Sequence, residues 1–183
     1  LDAVVHSAGF GLAGAIEDTD LAEAQQQFDT NFFGAHRILR ATLPALRATR
    51  GRLLFISSIG GAIALPFQGM YCTSKFALEG MVEALAHELH DSGVAVVLVQ
   101  PGDFRTGFTD ARRPVRASGD GSRYQAQMQH SLAVMIADER SGPDRERAAC
   151  AEHRHADEYG SDEPTQCALD GLPWADNRRE FVF

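Results

Sequence analysis

The sequence predicts an α/β fold built on a partial, doubly wound parallel sheet. Three short apolar runs, "LDAVV", "RLLFISS" and "VAVVLVQPG", are rich in β-branched or leucine side chains, as strands buried on both faces are. Two longer stretches with apolar residues at helical spacing alternate with these runs. Because the first run starts at Leu1, we expect that the chain is truncated at its N-terminus and lacks the first strands of the sheet.

Both long helices carry boundary signals. Asp20 followed by Glu23 is typical of the capping box that begins a helix, which we extend to about Arg47, and Gly51 follows its end. The second helix is predicted over 71–91. Its apolar residues recur at intervals of three and four and comprise Leu78, Met81, Val82, Leu85 and Leu89.

The pattern changes in the last third of the chain. A further helix is predicted over 124–137, and the segment beyond it has many charges of both signs and few apolar residues. Such a segment buries too little apolar surface to offset the entropy of ordering it. We therefore divide the chain into one partial α/β domain, 1–137, and an irregular or disordered tail, 138–183, which includes the terminal "EFVF".

Charge and composition exclude several classes of protein. A formal net charge of -8 disfavours binding to nucleic acid or to an anionic membrane surface. The longest apolar run, 94–99, is too short to span a bilayer. Three irregularly spaced cysteines and the lack of a charged-then-apolar leader favour a reducing, cytoplasmic location.

A metal site is not expected. The four residues that could ligate zinc are Cys150, His153, His155 and Cys167. Their spacing matches no familiar zinc finger, and the flanking sequence lacks apolar support for a small metal domain.

The residues that suggest chemistry are Tyr71, Lys75 and Ser58. The tyrosine and lysine stand four apart in "YCTSK", on one face of a helix, and the serine follows the second strand, where parallel sheets present their ligand crevice. A tyrosine pKa is ordinarily about 10, and an adjacent ammonium group lowers it toward a value useful for proton transfer. The serine hydroxyl could hold a developing negative charge on a substrate oxygen. Taken singly, each is more simply explained as a surface side chain or a strand-end hydroxyl.

The spacing of these parts together resembles the short-chain dehydrogenase/reductase (SDR) family over residues 1–106. The matching elements are Ala8 and Gly9 in the turn "HSAG", Asn31 in "NFFG", the Ser-x(12)-Tyr-x(3)-Lys set of Ser58, Tyr71 and Lys75, and the Pro-Gly-x(3)-Thr loop of Pro101, Gly102 and Thr106. The helix "MYCTSKFALEGMVEALAHEL" looks most like the branch that contains estradiol and retinol dehydrogenases. The resemblance implies a Rossmann-like fold of the SDR type.

The same resemblance implies roles for individual residues. Tyr71 would be the catalytic acid and base, Ser58 would bind the substrate oxygen, and Asn31 would anchor a water that links Lys75 to solvent. The cofactor would be NAD or NADP. The residues expected to contact it are Ala8, Gly9, Tyr71, Lys75, Pro101, Gly102, Phe104 and Thr106.

Two departures from the family pattern stand out. His6 and Ser7 replace the two asparagines that usually precede the Ala-Gly pair. The glycine-rich turn that binds the cofactor phosphates is also missing, since "GFGLAG" does not follow the G-x-G-x-x-G pattern.

The predicted function is hydride transfer between NAD(P) and a ketone or secondary alcohol of lipophilic character. The family resemblance implies a homodimer or homotetramer formed through the two long helices, where Ala77, Gly80 and Ala84 permit close approach. Two alternatives remain: an NAD-dependent epimerase or dehydratase of the same fold, and a degenerate, non-catalytic fragment that serves as a dimerising module. Net consumption of NAD(P)H with ketones separates the first alternative from a dehydrogenase.

We expect the 183 residues by themselves to be inactive and to bind NAD(P)H poorly. The missing phosphate turn removes a main anchor for the cofactor, and an unpartnered sheet edge leaves apolar surface exposed. Fluorescence titration of the isolated chain with NADH and NADPH measures this directly. Tight binding of either nucleotide would contradict the expectation.

Overall fold

A five-stranded sheet forms the centre of the computed structural model, which describes residues 1–143, 153–155 and 180–182. Across the sheet its strands are, in order, β1 (Ala3–His6), β3 (Arg52–Ile56), β4 (Ala95–Val99), β7 (Glu180–Val182) and β6 (His153–His155). The first three of these strands are the runs predicted from the sequence. They pair in parallel, which confirms the predicted α/β class.

Register brings the carboxyl ends of β3 and β4 to one edge of the sheet. Ile56 lies opposite Val99, so the segments that follow both strands leave the sheet side by side. Ser57 N donates to Val99 O at 2.7 Å, and Ile59 N donates to Pro101 O at 3.0 Å, which continues the pairing past the strands. This edge is the place where parallel sheets bind their ligands.

The first predicted helix is interrupted by a wide turn. Asp20 caps α1 (Leu21–Phe28), and its side chain accepts a hydrogen bond from Glu23 N at 2.8 Å, as the capping signal predicted. A π-helical segment, Asp29–Phe33, then leads without a break into α2 (Gly34–Thr49). The sequence periodicity did not indicate this change of helix type.

Helix α3 (Gly69–Glu88) supplies most of the helical contribution to the core. Leu78, Val82 and Leu85 are buried against the face of the sheet that includes Leu53 and Phe55. The helix begins two residues before the predicted start and ends three residues earlier than predicted, where His90–Ser92 forms a short 3-10 turn. The predicted apolar stripe is therefore the packed face of the helix.

A second, two-stranded sheet lies beside the main one. It pairs β2 (Leu12–Ala13) in parallel with β5 (Arg113–Pro114). Gly14 lies against Val115 at this point, and a Cβ added there would come within 2.5 Å of the valine Cβ. Gly14 of "GFGLAG" therefore permits the close packing of β2 against the chain after β5.

Parts of the segment predicted to be an irregular tail are ordered. Helix α4 (Gln125–Ser141) extends past the expected boundary at residue 137, and two strands follow, β6 (His153–His155) and β7 (Glu180–Val182). Strand β7 pairs in parallel with β4, and β6 pairs antiparallel with β7. The open side of β4 offers backbone donors and acceptors to a short apolar strand, which the composition of the segment did not indicate. Cys150 and Cys167, two of the four weighed as zinc ligands, lie outside the described residues.

Within the described residues, no helix combines the length and the apolar character needed to cross a membrane.

Phe55→Ala is expected to lower the free energy of unfolding by about 3–5 kcal/mol, because the ring is fully buried between the sheet and its helices. Val134→Ala is the matched control, since Val134 is 50% exposed on α4 and its loss should change stability by about 0.5 kcal/mol or less. Urea unfolding followed by circular dichroism measures both. Equal effects of the two substitutions would show that the core is not where the structure places it.

Candidate active site

A cleft of about 240 Å³ opens at the carboxyl edge of the main sheet. Ser58 enters it from the end of β3, Pro101 and Gly102 enter it from the end of β4, and Tyr71 and Lys75 project into it from the first turns of α3. The structure thus brings together three of the four predicted catalytic residues. Ser58 follows β3, and Tyr71 and Lys75 lie on α3, which the hydrogen bond from Lys75 Nζ to Ile56 O holds against the end of that strand.

Tyr71 and Ser58 are hydrogen-bonded neighbours. The tyrosine is buried, and its phenol group forms a hydrogen bond with the side chain of Ser58. Gly60 lies between them: a Cβ added there would be 3.2 Å from Tyr71 Cε1 and 3.5 Å from Ser58 Oγ. Phe108 covers the other side of the tyrosine, with ring centroids 5.7 Å apart. The absence of a side chain at Gly60 therefore lets the phenol approach the serine.

Lys75 is buried beneath the cleft and fixed to the sheet. Its Nζ donates to Ile56 O at 2.8 Å and lies 5.9 Å from the centroid of the Tyr71 ring. Burial lowers the pKa of Lys75 to about 8, and the carboxylate of Glu79, one turn along the helix, opposes this shift. Lys75 is also the only lysine in the 183 residues.

Asn31 does not border the cleft but lies directly behind it, in the π-helical segment. Its amide is fully buried, with Nδ2 donating to Phe10 O and to Ser74 Oγ, and with Oδ1 accepting from Phe10 N, each at 3.1 Å. Gly9 separates it from Lys75, since a Cβ added there would be 3.2 Å from Asn31 Oδ1 and 3.8 Å from Lys75 Nζ. The Asn31 amide and the Lys75 ammonium group therefore lie on either side of Gly9, and only the missing side chain of this glycine lets them come so close.

Burial acts against the lowering of the tyrosine pKa that was predicted from the sequence. Burial raises the pKa of Tyr71 to about 12, and the hydrogen bond with Ser58 only partly opposes that rise. The reason is desolvation: the side chain is 4% exposed, and a phenolate there loses most of its hydration. The ammonium group that was expected to stabilise the phenolate is itself less easily charged, because the same burial acts on Lys75.

The residues predicted to contact a cofactor mostly line the same cleft. They are Gly9, Tyr71, Lys75, Pro101, Gly102, Phe104 and Thr106. Ala8 is the exception, because it lies in a neighbouring surface depression together with His6 and Thr30.

His6 shows what the departure from the family's two asparagines does locally. Its ring is buried, 6.0 Å from that of Phe55, and its pKa is lowered by burial and by the charge of Lys75. Ser7 beside it is exposed and reaches the cleft.

Sequence reasoning missed the charged residues that complete the cleft wall. Arg112 and Glu139 form an ion pair there, and Asp103 lies nearby. They are far apart in the sequence, so no local spacing could have paired them. Glu79 was also missed, although it stands four residues after Lys75; it accepts hydrogen bonds from Ser57 Oγ at 2.6 Å and from Gln100 Nε2 at 2.5 Å.

The described residues contain no group of three or more His, Cys, Asp or Glu side chains arranged to hold a metal ion.

The sequence model of the short chain dehydrogenase family matches residues 1–117. The chain therefore belongs to the short-chain dehydrogenase family, and its parallel sheet with helices is the fold of a member of that family.

The similar curated proteins include enzymes of the branch that the helix sequence resembled. The chain is 45% identical over 143 residues to the 3-ketodihydrosphingosine reductase of Bacteroides thetaiotaomicron, a match that covers 78% of this chain and 53% of that protein. It is 44% identical over 109 residues to human retinol dehydrogenase 8, with 59% and 35% covered. It is 40% identical over 134 residues to rat estradiol 17-beta-dehydrogenase 1, with 73% and 39% covered. The chain spans about a third to a half of the length of these relatives.

Solved structures agree with this assignment. A short-chain dehydrogenase from Streptomyces avermitilis superposes with a TM-score of 0.70 at 30% identity, over 81% of this chain and 54% of that one. A short-chain dehydrogenase/reductase from Burkholderia phymatum, solved in complex with NAD, superposes with a TM-score of 0.66 at 25% identity, over 78% of this chain and 52% of that one.

The pKa of Lys75 gives a pH-dependent stability. Between pH 8 and pH 10.5 the unfolded chain binds a proton on this lysine that the folded chain has released, so folding becomes more favourable as the pH rises. We compare the free energy of unfolding of the wild type with that of the Lys75→Met variant. The difference, wild type minus variant, is expected to increase by roughly 2–3 kcal/mol between pH 7 and pH 10.

Urea unfolding of both proteins at the two pH values measures this difference in the free energy of unfolding. Titrating groups that the two proteins share contribute equally to both and are removed by the subtraction. Because the sequence has a single lysine, isotope-labelled lysine gives an independent NMR titration of the same group. A difference that does not change with pH, or a lysine that titrates near 10.5, would contradict the burial of the ammonium group.

Proposed function

We propose that the protein is an NAD(P)-dependent oxidoreductase that interconverts a ketone and a secondary alcohol, with Tyr71 as the acid and base. The observation that carries this proposal is the hydrogen-bonded pair of Tyr71 and Ser58 in one cleft with the ammonium group of Lys75 beneath it. The family supports an oxidoreductase. The assignment of the substrate and of the individual residue roles is our inference.

With a pKa of about 12, the phenol of Tyr71 is protonated at neutral pH, which is the form that a proton donor to a ketone requires. The phenol keeps its proton until a carbonyl oxygen that gains negative charge accepts it, and Ser58 Oγ can donate a second hydrogen bond to that same oxygen. Lys75, which is still mostly charged at pH 7, then stands below the phenolate that proton transfer leaves behind. Asn31 would hold a water beside Lys75 through the gap at Gly9 and so return a proton from solvent.

The cleft fits the nicotinamide end of a dinucleotide. A Cβ added at Gly102 would meet no atom within 4 Å, so the backbone after β4 is open to a flat ring. Pro101, Phe104, Thr106 and Lys75 line the same cleft. When bound, the nicotinamide supplies or accepts the hydride. NAD and NADP share the nicotinamide end and differ only by a phosphate on the adenosine ribose, so this end of the site is compatible with both.

The substrate we propose is lipophilic. The lining of the cleft includes five apolar side chains: Ile59, Leu65, Phe104, Phe108 and Met135. The similar proteins are named for 3-ketodihydrosphingosine, retinol and estradiol, which are themselves largely apolar molecules. A medium- or long-chain ketone is therefore the first substrate to test.

We also propose a homodimer or homotetramer that uses the two long helical segments. Leu21, Phe33 and Ile38 expose apolar side chains along the first, and Phe76 does so on α3. Gly80 on α3 is exposed, and a Cβ added there would meet nothing within 4 Å, so a second helix could approach closely. A cytoplasmic location stays a prediction from the sequence.

Tyr71→Phe in the full-length protein is expected to lower kcat for ketone reduction by about 100- to 10,000-fold, because it removes the proton donor and leaves the ring in place. Tyr124→Phe is the matched control: its hydroxyl bonds Glu17 at 2.5 Å, outside the cleft, and its loss should leave kcat unchanged. Oxidation of NADH or NADPH, followed at the nicotinamide absorbance, measures both. Wild-type turnover of a substrate without net NAD(P)H consumption would favour the epimerase or dehydratase alternative, and equal activity of Tyr71→Phe and wild type would overturn the role of Tyr71.

A further inference from the structure

A buried ion pair forms one wall of the cleft. Arg112 Nη2 donates to Glu139 Oε1, and the two side chains are only 6% and 12% exposed. Glu139 Oε2 also accepts from Thr109 Oγ1 at 2.7 Å, so both carboxylate oxygens have partners. The pair joins the loop before β5 to the last turn of α4.

The guanidinium group keeps unused donors. Arg112 Nε and Nη1 are both buried, and neither has a hydrogen-bond acceptor among the residues that the structure describes. Buried polar groups are nearly always hydrogen-bonded, and leaving a charged donor without a partner is costly. An ion pair retained only for stability would be expected to satisfy these nitrogens within the protein. Because Arg112 lines the cleft, a ligand bound there is placed to supply the missing acceptor.

The position of Arg112 is fixed by its backbone neighbours. Arg113 N donates to Gly11 O at 2.8 Å in the pairing of β5 with β2, which holds the adjoining residue firmly. A Cβ added at Gly11 would lie 3.7 Å from Arg112 Cγ and 3.4 Å from Phe108 Cζ, so both side chains pack over this glycine. A donor on a backbone fixed in this way is preorganised for recognition.

Arg112 is also close to the proposed reaction centre. Phe108, which packs over Gly11 with Arg112, contacts the ring of Tyr71. The charges of Arg112 and Glu139 act on the pKa of Tyr71 in opposite directions, the arginine lowering it and the carboxylate raising it. One small molecule can therefore touch Tyr71 with its carbonyl oxygen and Arg112 with a second group.

We propose that Arg112 anchors the substrate by donating to a neutral oxygen, a hydroxyl group, that the substrate carries close to its reacting ketone. This proposal rests on the proposed function. Glu139 is a positioning residue that holds the guanidinium group in the wall through the ion pair.

Local charge favours a hydroxyl over a carboxylate as the partner. Asp103 lines the same cleft, and its pKa is raised by burial and by the nearby carboxylates of Glu139 and Asp138, while Arg112 opposes the shift. One guanidinium group therefore faces several carboxyl groups, and a further anion would be repelled. A hydroxyl oxygen accepts from Arg112 without that repulsion.

The test compares three medium-chain ketones in the full-length protein: the plain ketone, the same ketone with a hydroxyl on the adjacent carbon, and the same ketone with the hydroxyl one carbon further. We expect the wild type to prefer at least one hydroxylated ketone in kcat/KM. Arg112→Met should lower kcat/KM for that ketone by about 10- to 100-fold, the loss expected for a hydrogen bond to a charged group, mainly through KM. The plain ketone should lose less than the hydroxylated one, so the ratio of their kcat/KM values should fall toward one.

Arg113→Met is the matched control. Arg113 is the next residue, but its guanidinium group stacks on the ring of Phe10 at 4.3 Å and it does not line the cleft. It should leave the preference for the hydroxylated ketone unchanged. Should Arg112→Met fail to fold, the double variant Arg112→Met, Glu139→Met removes both buried charges together, which buried pairs commonly tolerate. It should retain activity on the plain ketone and lose the preference.

Equal losses on plain and hydroxylated ketones, or a double variant that keeps the wild-type preference, would assign Arg112 a structural role and overturn the proposal. A wild type that reduces ketones through Tyr71 without favouring either hydroxylated compound would overturn this inference alone. A wild type that reduces none of the three, or a Tyr71→Phe variant as active as the wild type, would overturn the proposed function as well.

Discussion

The hydrogen bond from Lys75 Nζ to Ile56 O is the contact on which the geometry of the cleft depends. It joins the second turn of α3 to the last residue of β3, two residues before Ser58. The same helix carries Tyr71 one turn earlier, so a single bond relates the phenol to the serine hydroxyl. Glu79 adds a further attachment one turn later, where it accepts from Ser57 and Gln100 at the ends of two strands. Three successive turns of one helical face are thereby tied to the carboxyl edge of the sheet.

Burial determines the electrostatics of this arrangement more than pairwise attraction does. Removing Tyr71 and Lys75 from water disfavours the charged form of each, so one pKa rises to about 12 and the other falls to about 8. The pKa values of an exposed phenol and an exposed amine lie close together, and burial therefore moves these two apart. The result is a phenol that holds its proton firmly above an amine that can lose one near neutral pH.

Sequence patterns predicted the parts of the fold that depend on local order. They correctly predicted the apolar strands, the Asp20 cap and the packed face of α3, because each of these depends on residues within a few positions of one another. The four-residue spacing of Tyr71 and Lys75 likewise required only that the segment be helical, and the cleft then followed from strand register.

The features that the sequence did not reveal depend on the folded chain as a whole. Arg112 meets Glu139 only after α4 has folded back along the cleft, and no motif connects the two. The sign of the Tyr71 pKa shift follows from its burial, which the spacing of a tyrosine and a lysine does not report. Strand β7 takes its place from the open side of β4, within a segment whose composition suggested no regular structure.

The π-helical segment Asp29–Phe33 has a consequence for the whole first helical stretch. From Glu23 to Leu39 every fourth residue of this stretch is buried: Glu23, Gln27, Asn31, Ala35 and Leu39. In a regular α-helix such a row winds about 40° around the axis at each step and soon turns toward solvent. The wider π-helical turn rotates less per residue and so offsets part of this drift. The polar residues that bind the loops and the apolar residues that fill the core therefore stay on one face of the stretch. Inserting or removing a single residue in this segment would rotate the residues on one side of it relative to those on the other. Either the polar residues that bind the loops or the apolar residues that fill the core would then turn toward solvent.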